Sequence, residues 1–215
     1  MLYYDSREFH DTLGPDRFPP AALGRELWHG VEPSEDSLRA LYERLCASQP
    51  VAPPWPTIFI SHRRSDSAQA LRLAWLAYNA GFGYWLDVLD PTLCTLNSAP
   101  ASAAATLAIA SLIETALLNC THVLVAMTPN TKGSLWVPYE LGRAKSRSVS
   151  ATQAAAWIGS LADPADVPEY LHLIRLHKDE LAISAWLAAE KSACAGIGFS
   201  GPPSLWTLPV PSPLP

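Results

Sequence analysis

The sequence has no long hydrophobic run and no cluster of basic residues. No apolar stretch reaches the roughly 18–20 residues of a membrane-spanning helix, and the N-terminal MLYYDSREFHDTLG has early acids and no apolar core of the kind found in signal peptides. The chain has 15 Lys and Arg against 20 Asp and Glu, a formal net charge of −5, and its basic residues are scattered. We therefore expect a cytoplasmic protein with no membrane and no nucleic acid among its partners.

Cysteine is scarce, and the cysteines lie far apart in the chain. The four of them are Cys46, Cys94, Cys120 and Cys194. They form no CxxC pair, so reduced thiols in a cytoplasmic protein are the simple interpretation. His172 and His177 are five residues apart in an apparent strand and should point to opposite faces. We expect no metal site.

Several common catalytic and nucleotide-binding motifs are also missing. GxGxxG occurs once, at 196–201 in the predicted tail, where no predicted strand precedes it, and GxxxxGK[ST] does not occur, so neither a Rossmann fingerprint nor a P-loop is predicted. There is no GxSxG elbow, and Ser61 and His62 are sequence neighbours instead of a positioned catalytic pair.

The composition is that of a globular protein, with 49% apolar and 16% charged residues among 215. Residues 1–52 are predicted to form an extension with one amphipathic helix at 36–48. The stiff APPWP segment at 52–56 marks the boundary to a main domain over 53–195. Residues 196–215 form a proline-rich tail.

Strand and helix patterns alternate through the main domain. Strands are predicted at 57–62, 84–88, 121–128, 152–160 and 172–177. Helices are predicted at 65–83, with a capping box of Asp66 and Gln69, at 101–120, from about 135, and at 178–191, and residues 90–100 are predicted to be a loop. Such alternation predicts an α/β fold of flavodoxin-like type, a doubly wound parallel five-stranded sheet. Ligands of these sheets bind beyond the carboxyl ends of the strands, here the loops after Ser61, Asp87, Thr128 and Ser160.

The segment SLWVPYELGRAK at 134–145 predicts the start of a helix. Pro138 belongs in a first turn, so the helix should begin near Leu135 or Trp136, with Ser134 as its N-cap. Trp136 and Glu140 are then four residues apart and lie on one face. The pattern alone favours a solvated acid at Glu140, which the helix dipole stabilises, over a catalytic carboxylate.

Other charged residues near the strand ends allow two interpretations each. Arg63 and Arg64 beside a helix start are a natural anion site, and plain solvation explains them equally well. Asp87 follows the second predicted strand, where an acid more often caps a loop than contacts a ligand.

Three segments together resemble a Toll/interleukin-1 receptor (TIR) domain of the bacterial kind. They are TIFISHRRSD, similar to the family's box 1, GFGYWLDVLDP, similar to its box 2, and HVLVAMTPNTKGSLWVPYELGRAK, similar to the stretch with its catalytic glutamate. The resemblance covers about residues 55–192. The loop after box 2 lacks the glycine that many members have.

The resemblance implies cleavage of NAD⁺ at the nicotinamide–ribosyl bond, with NAD⁺ as substrate and no cofactor. Glu140 would be the catalytic carboxylate. The residues implied to bind substrate are Phe59, Ser61, His62, Arg63, Arg64, Asp87 and Trp136. Asp87 matches the box 2 acid, which could position its loop instead of touching substrate.

The resemblance extends to the NAD-processing TIR component of Thoeris-type anti-phage systems. It implies a cyclic ADP-ribose-type signal, a separate effector activated by that product, a phage-derived trigger and homo-oligomers formed through TIR–TIR contacts. TIR proteins include non-catalytic scaffolds, so a pure interaction module is an alternative. An enzyme like nucleoside 2-deoxyribosyltransferase, with a doubly wound sheet and a catalytic Glu, is another.

Overall fold

The computed structural model describes residues 56–98, 101–118, 120–147, 152–161, 163–194 and 212–214. The described residues divide into two compact units, the first drawn from 52–86 and 120–215 and the second from 87–119. The extension predicted over 1–52, with its helix, and most of the tail predicted over 196–215 lie outside the described residues, so these boundaries stay predictions.

The first unit contains a five-stranded parallel sheet. Its strands are β1 (Thr57–Ser61), β2 (Gly83–Trp85), β3 (His122–Ala126), β4 (Ala154–Trp157) and β5 (Arg175–His177). The strand order is β2-β1-β3-β4-β5, and every pairing is parallel. β1, β3 and β4 are buried along their whole length, which explains why their sequences are mainly apolar instead of alternating. The predicted α/β fold class is confirmed.

Helices connect the strands. They are α1 (Ser67–Asn79), α2 (Pro91–Ser98), α3 (Ala103–Leu118), α4 (Trp136–Arg147) and α5 (Glu180–Cys194). Within the described residues, no helix is long and apolar enough to cross a membrane. α1 ends as the glycines predict, because Gly81 follows it with φ +83°, a left-handed conformation that glycine adopts without steric cost.

The helices of the first unit cover both faces of its sheet. Side chains alternate along a strand, so Ser61 and His122 lie on opposite faces given the pairing of Ser61 with Val125. Ser61 bonds to Glu140 of α4, and the His122 ring packs edge-on near Trp186 of α5. α4 and α5 therefore lie on opposite sides, the doubly wound arrangement.

Residues 91–98 do not belong to the loop that the sequence predicted over 90–100. Pro91–Ser98 form helix α2, and the side chain of Asp90 accepts a hydrogen bond from the backbone N–H of Leu93 at 3.1 Å. The Asp-Pro pair is an N-cap followed by a proline at the first helical position, where its missing N–H is not needed. The same pair is common in turns, which explains the wrong prediction.

All five strands are shorter than predicted, and in two cases a 3-10 helix takes up predicted strand residues. The second ends at Trp85, and Asp87 begins a 3-10 helix, Asp87–Leu89. The fifth begins at Arg175, because Glu169–Leu173 form another 3-10 helix. His172 is therefore exposed on this 3-10 helix, and the prediction that it shares a strand with His177 is wrong.

The buried His122 predicts a pH-dependent stability. Its side chain is fully buried, and burial together with the nearby Lys191 lowers its pKa to about 4. Its Nε2 lies 3.5 Å from Glu190 Oε2, but an imidazole of this pKa is neutral at pH 7, so this contact is not an ion pair there. In the unfolded chain the imidazole takes up its proton near pH 6.5, well before the folded protein does.

Stability should therefore fall as the pH drops from about 6.5 to about 4, by on the order of 3 kcal/mol from this residue. Burial raises the pKa of Glu190, which acts in the opposite direction. Urea unfolding at pH 7 and pH 4.5 checks the prediction. The pH-dependent loss should be smaller in His122→Gln, and equal losses in the two proteins would contradict it.

Candidate active site

The carboxyl ends of the central strands bring three loops to one edge of the sheet. Ser61 ends β1 and pairs with Val125, which pairs with Ala156 of β4. Because all strands are parallel, the segments after Ser61, Ala126 and Trp157 leave the sheet at the same edge. Neighbouring loops are also joined, since Ser160 Oγ donates to the carbonyl of Met127 at 3.4 Å.

Helix α4 begins where its sequence predicts. Its first residue is Trp136, and Pro138 lies in the first turn. The backbone N–H of Val137 donates to Ser134 Oγ at 3.4 Å, so Ser134 caps the helix start. This start places Glu140 one turn into the helix, above the end of β1.

Glu140 is held against β1 by a short hydrogen bond. Ser61 Oγ donates to Glu140 Oε2 at 2.6 Å, across 79 residues of sequence. This distance is typical of a hydroxyl bonded to a charged carboxylate. Ser61 is buried and Glu140 is only 6% exposed. Glu140 is thus a positioned, nearly buried acid, and not the solvated helix acid that its pattern alone favoured.

An exposed aromatic pair lies beside Glu140 on α4. Trp136 is 41% and Tyr139 38% exposed, and their rings meet edge-to-face with centroids 5.7 Å apart. Leu135 precedes them and is also exposed. Large apolar side chains that remain exposed beside a positioned carboxylate suit contact with a ligand's ring or sugar. Tyr139 was not among the residues predicted from the sequence.

Asp66 does not form the predicted capping box with Gln69. The N-terminus of α1 has no side-chain cap from Asp66. Its carboxylate turns away and accepts hydrogen bonds from Thr128 Oγ1 at 2.6 Å and from the side-chain amide of Asn130 at 2.8 Å. Asp66 therefore joins the loop after β1 to the loop after β3.

The predicted basic residues follow β1 directly. Arg63 is exposed, and its guanidinium donates to the backbone carbonyl of Asn130 at 2.9 Å. Arg64 is exposed and begins a short 3-10 helix, Arg64–Asp66. His62 is buried, with Nδ1 3.4 Å from the carbonyl of Ile60. The two arginines reach solvent at the sheet edge, whereas the imidazole turns inward.

Two further predicted residues are Phe59 of β1 and Asp87 of the second unit. Phe59 is almost fully buried within the sheet, and its ring stacks on Trp85 with centroids 4.9 Å apart. A side chain in this place is better suited to stabilise β1 than to contact a ligand. Asp87 is half-buried in its 3-10 helix and belongs to the second unit. The predicted roles of both residues in binding stay predictions.

Comparison with known proteins supplies the family. A family model described as TIR domain matches residues 58–187, more than half of the 215 residues. No curated protein matches the chain at a significant level. The matched range begins in β1 and ends within α5, so it covers the whole sheet and both Ser61 and Glu140. The chain belongs to the TIR domain family.

Proposed function

We propose that this TIR domain is an enzyme that cleaves NAD⁺ at the nicotinamide–ribosyl bond. The observation that carries the proposal is Glu140, a carboxylate 6% exposed and bonded to Ser61 at the carboxyl edge of the sheet. A scaffold domain has no need for an acid oriented in this way, since a buried carboxylate costs stability unless it is well bonded.

Cleavage of this bond depends mainly on a negative charge held close to the ribose. The bond between the ribose C1′ and the nicotinamide nitrogen breaks, and nicotinamide leaves with the electron pair. Positive charge then develops on the ribose, and a negative side chain fixed nearby stabilises that charge. Water, or a nucleophile of the ADP-ribosyl group itself, forms the new bond to C1′ and releases a proton.

Neighbouring side chains suit the remaining parts of the substrate. Trp136 and Tyr139 offer exposed ring surface beside Glu140 for the nicotinamide or the ribose. Arg63 and Arg64 are exposed at the same sheet edge, and a guanidinium recognises phosphate oxygens through paired N–H groups. NAD⁺ carries all three features, a ring, a ribose and a diphosphate.

The direct test incubates the full-length protein with NAD⁺ and follows nicotinamide by chromatography, with the second product identified by mass spectrometry. Nicotinamide release supports the proposal, and the mass separates linear from cyclic ADP-ribose. The assay is repeated at high protein concentration and in extracts of phage-infected cells, because TIR–TIR assembly or a trigger could complete the site. No release under any condition, together with self-association, would favour the scaffold function. Turnover of deoxynucleosides alone would favour a deoxyribosyltransferase-like enzyme.

We further propose that the product is a cyclic ADP-ribose-type signal made in the cytoplasm during anti-phage defence, where it activates a separate effector. This part rests on the resemblance of the sequence to Thoeris-type TIR proteins. A phage challenge of cells with the wild-type gene or a Glu140→Gln gene, followed by analysis of small molecules, would test it. The signal should appear in infected cells with the wild-type gene alone.

Replacing Ser61 by Ala should lower kcat for NAD⁺ cleavage about 10- to 150-fold, because a hydrogen bond to a charged group contributes roughly 1.5–3 kcal/mol. KM should change less, since Ser61 acts on the carboxylate and is itself buried. Steady-state nicotinamide release measures both constants.

The matched control is Ser192→Ala, whose hydroxyl donates to a helix carbonyl on the exposed side of α5. In a Glu140→Gln background the loss from Ser61→Ala should shrink, because coupled residues are not additive. An undiminished loss in that background would contradict a role through Glu140.

A further inference from the structure

We propose that Asp66 is a positioning residue whose carboxylate holds the loop between β3 and α4 in the shape that places Glu140 against Ser61. Its catalytic consequence rests on the proposed function. Asp66 is 2% exposed, and both of its carboxylate oxygens accept hydrogen bonds from this loop. A buried carboxylate with neutral donors on a second segment stabilises that segment's conformation.

The loop is arranged around Thr128. Its Oγ1 accepts from the backbone N–H groups of Asn130 at 3.1 Å and Thr131 at 3.3 Å, so both of its lone pairs are used. The hydroxyl of Thr128 then donates its own proton to Asp66 Oδ2 at 2.6 Å. Without this carboxylate, Thr128 would lose its shortest hydrogen bond, and the Thr131 hydroxyl would lose an acceptor 3.2 Å away.

The contacts continue from Thr131 to the helix that carries Glu140. The backbone N–H of Ser134 donates to the carbonyl of Thr131 at 2.9 Å, and Ser134 Oγ in turn accepts from Val137 N at 3.4 Å. Glu140 lies three residues after Val137 in α4. These two hydrogen bonds join the loop to the first turn of α4. A shift of the loop would therefore move the start of the helix and, with it, Glu140.

A second connection joins the same two loops. Arg63 donates to the carbonyl of Asn130 at 2.9 Å, and the carbonyl of Arg63 accepts from the backbone N–H of Asp66 at 2.7 Å. Ser61, two residues before Arg63, holds Glu140. The residues at and after the end of β1 thus contact the β3–α4 segment at two places. Asp66 bonds to the loop, and Ser61 bonds to Glu140 in the helix.

The test compares Asp66→Ala with Asp66→Asn in the nicotinamide assay on the full-length protein. Asp66→Ala should lower kcat about 100-fold, the loss expected from a misplacement of about 1 Å, with KM changed less. Asp66→Asn should keep most activity, because its oxygen can accept from Thr128 while Asn130 turns its amide to accept from the new NH₂ group. Glu169→Ala is the matched control, since it removes one carboxylate from an exposed position on the 3-10 helix Glu169–Leu173.

A charge exchange keeps the test decisive if Asp66→Ala fails to fold. Asn130→Asp puts a second carboxylate against Asp66 and should lower kcat about tenfold. Adding Asp66→Asn to Asn130→Asp restores a donor–acceptor pair and should return kcat to within about threefold of wild type. Wild-type kcat in Asn130→Asp, or no recovery in the double variant, would overturn the proposal.

A readout independent of turnover separates this proposal from the proposed function. Lys132 is exposed in the β3–α4 loop, so limited trypsin cleavage after it reports the opening of this loop. Cleavage should be about tenfold faster in Asp66→Ala and unchanged in Glu169→Ala. If the wild type releases no nicotinamide, the proposed function fails, and cleavage alone then decides. Unchanged cleavage in Asp66→Ala would overturn the inference.

Discussion

Glu140→Gln should lower kcat for nicotinamide release by about 10²–10³-fold, the effect of removing one preorganised electrostatic group from a transition state. Glutamine keeps the size of the side chain and can still accept a hydrogen bond from Ser61. It cannot supply the negative charge that stabilises an oxocarbenium-like ribose. KM should change little, because the substrate's rings and phosphates are recognised by other groups. Steady-state chromatography of nicotinamide measures both constants.

The control for this change is Glu169→Gln, which removes one negative charge from an exposed position on a 3-10 helix. Its activity should equal that of the wild type. Thermal unfolding of both variants separates loss of chemistry from loss of fold. Glu140→Gln with wild-type kcat would show that the carboxylate does not stabilise the transition state, and the enzymatic proposal would then lose its main support.

The sheet and the start of α4 could be predicted from the sequence because both depend on local residue order. β1 and β3 are apolar through their centres and buried at every position, and a proline in the first turn marks a helix start. Local order did not separate a helix from a loop after Asp90. An Asp-Pro pair occurs both in turns and at helix N-termini, so the pair alone does not tell the two apart.

The candidate site was only partly predictable for a different reason. That Glu140 lies at the sheet edge follows from the strand and helix order, but its bond to Ser61 joins residues 79 positions apart. The carboxylate of Asp66 shows the limit most clearly. Its spacing to Gln69 predicts a local cap, and instead it bonds to Thr128, because a long-range pair of donors competes with the helix N-terminus.

A methyl group added at Gly159, in the turn after β4, should cause a large loss of stability. A Cβ added at Gly159 would overlap the backbone carbonyl oxygen of Lys178 and lie 2.6 Å from the indole nitrogen of Trp157. Trp157 is fully buried, and the backbone after β5 cannot move without disturbing the pairing of β4 with β5.

Gly159→Ala should therefore destabilise the protein by about 2–4 kcal/mol, the range of overpacked and strained sites, and lower Tm by about 5–10 °C. The matched control is Gly142→Ala, since Gly142 is exposed within α4 and has open space where a Cβ would lie. A methyl group there should stabilise the helix by roughly 0.5–1 kcal/mol. Thermal unfolding should thus show the same substitution moving Tm in opposite directions at the two sites. Equal Tm values for Gly159→Ala and wild type would mean that β5 and the turn after β4 can separate at little cost.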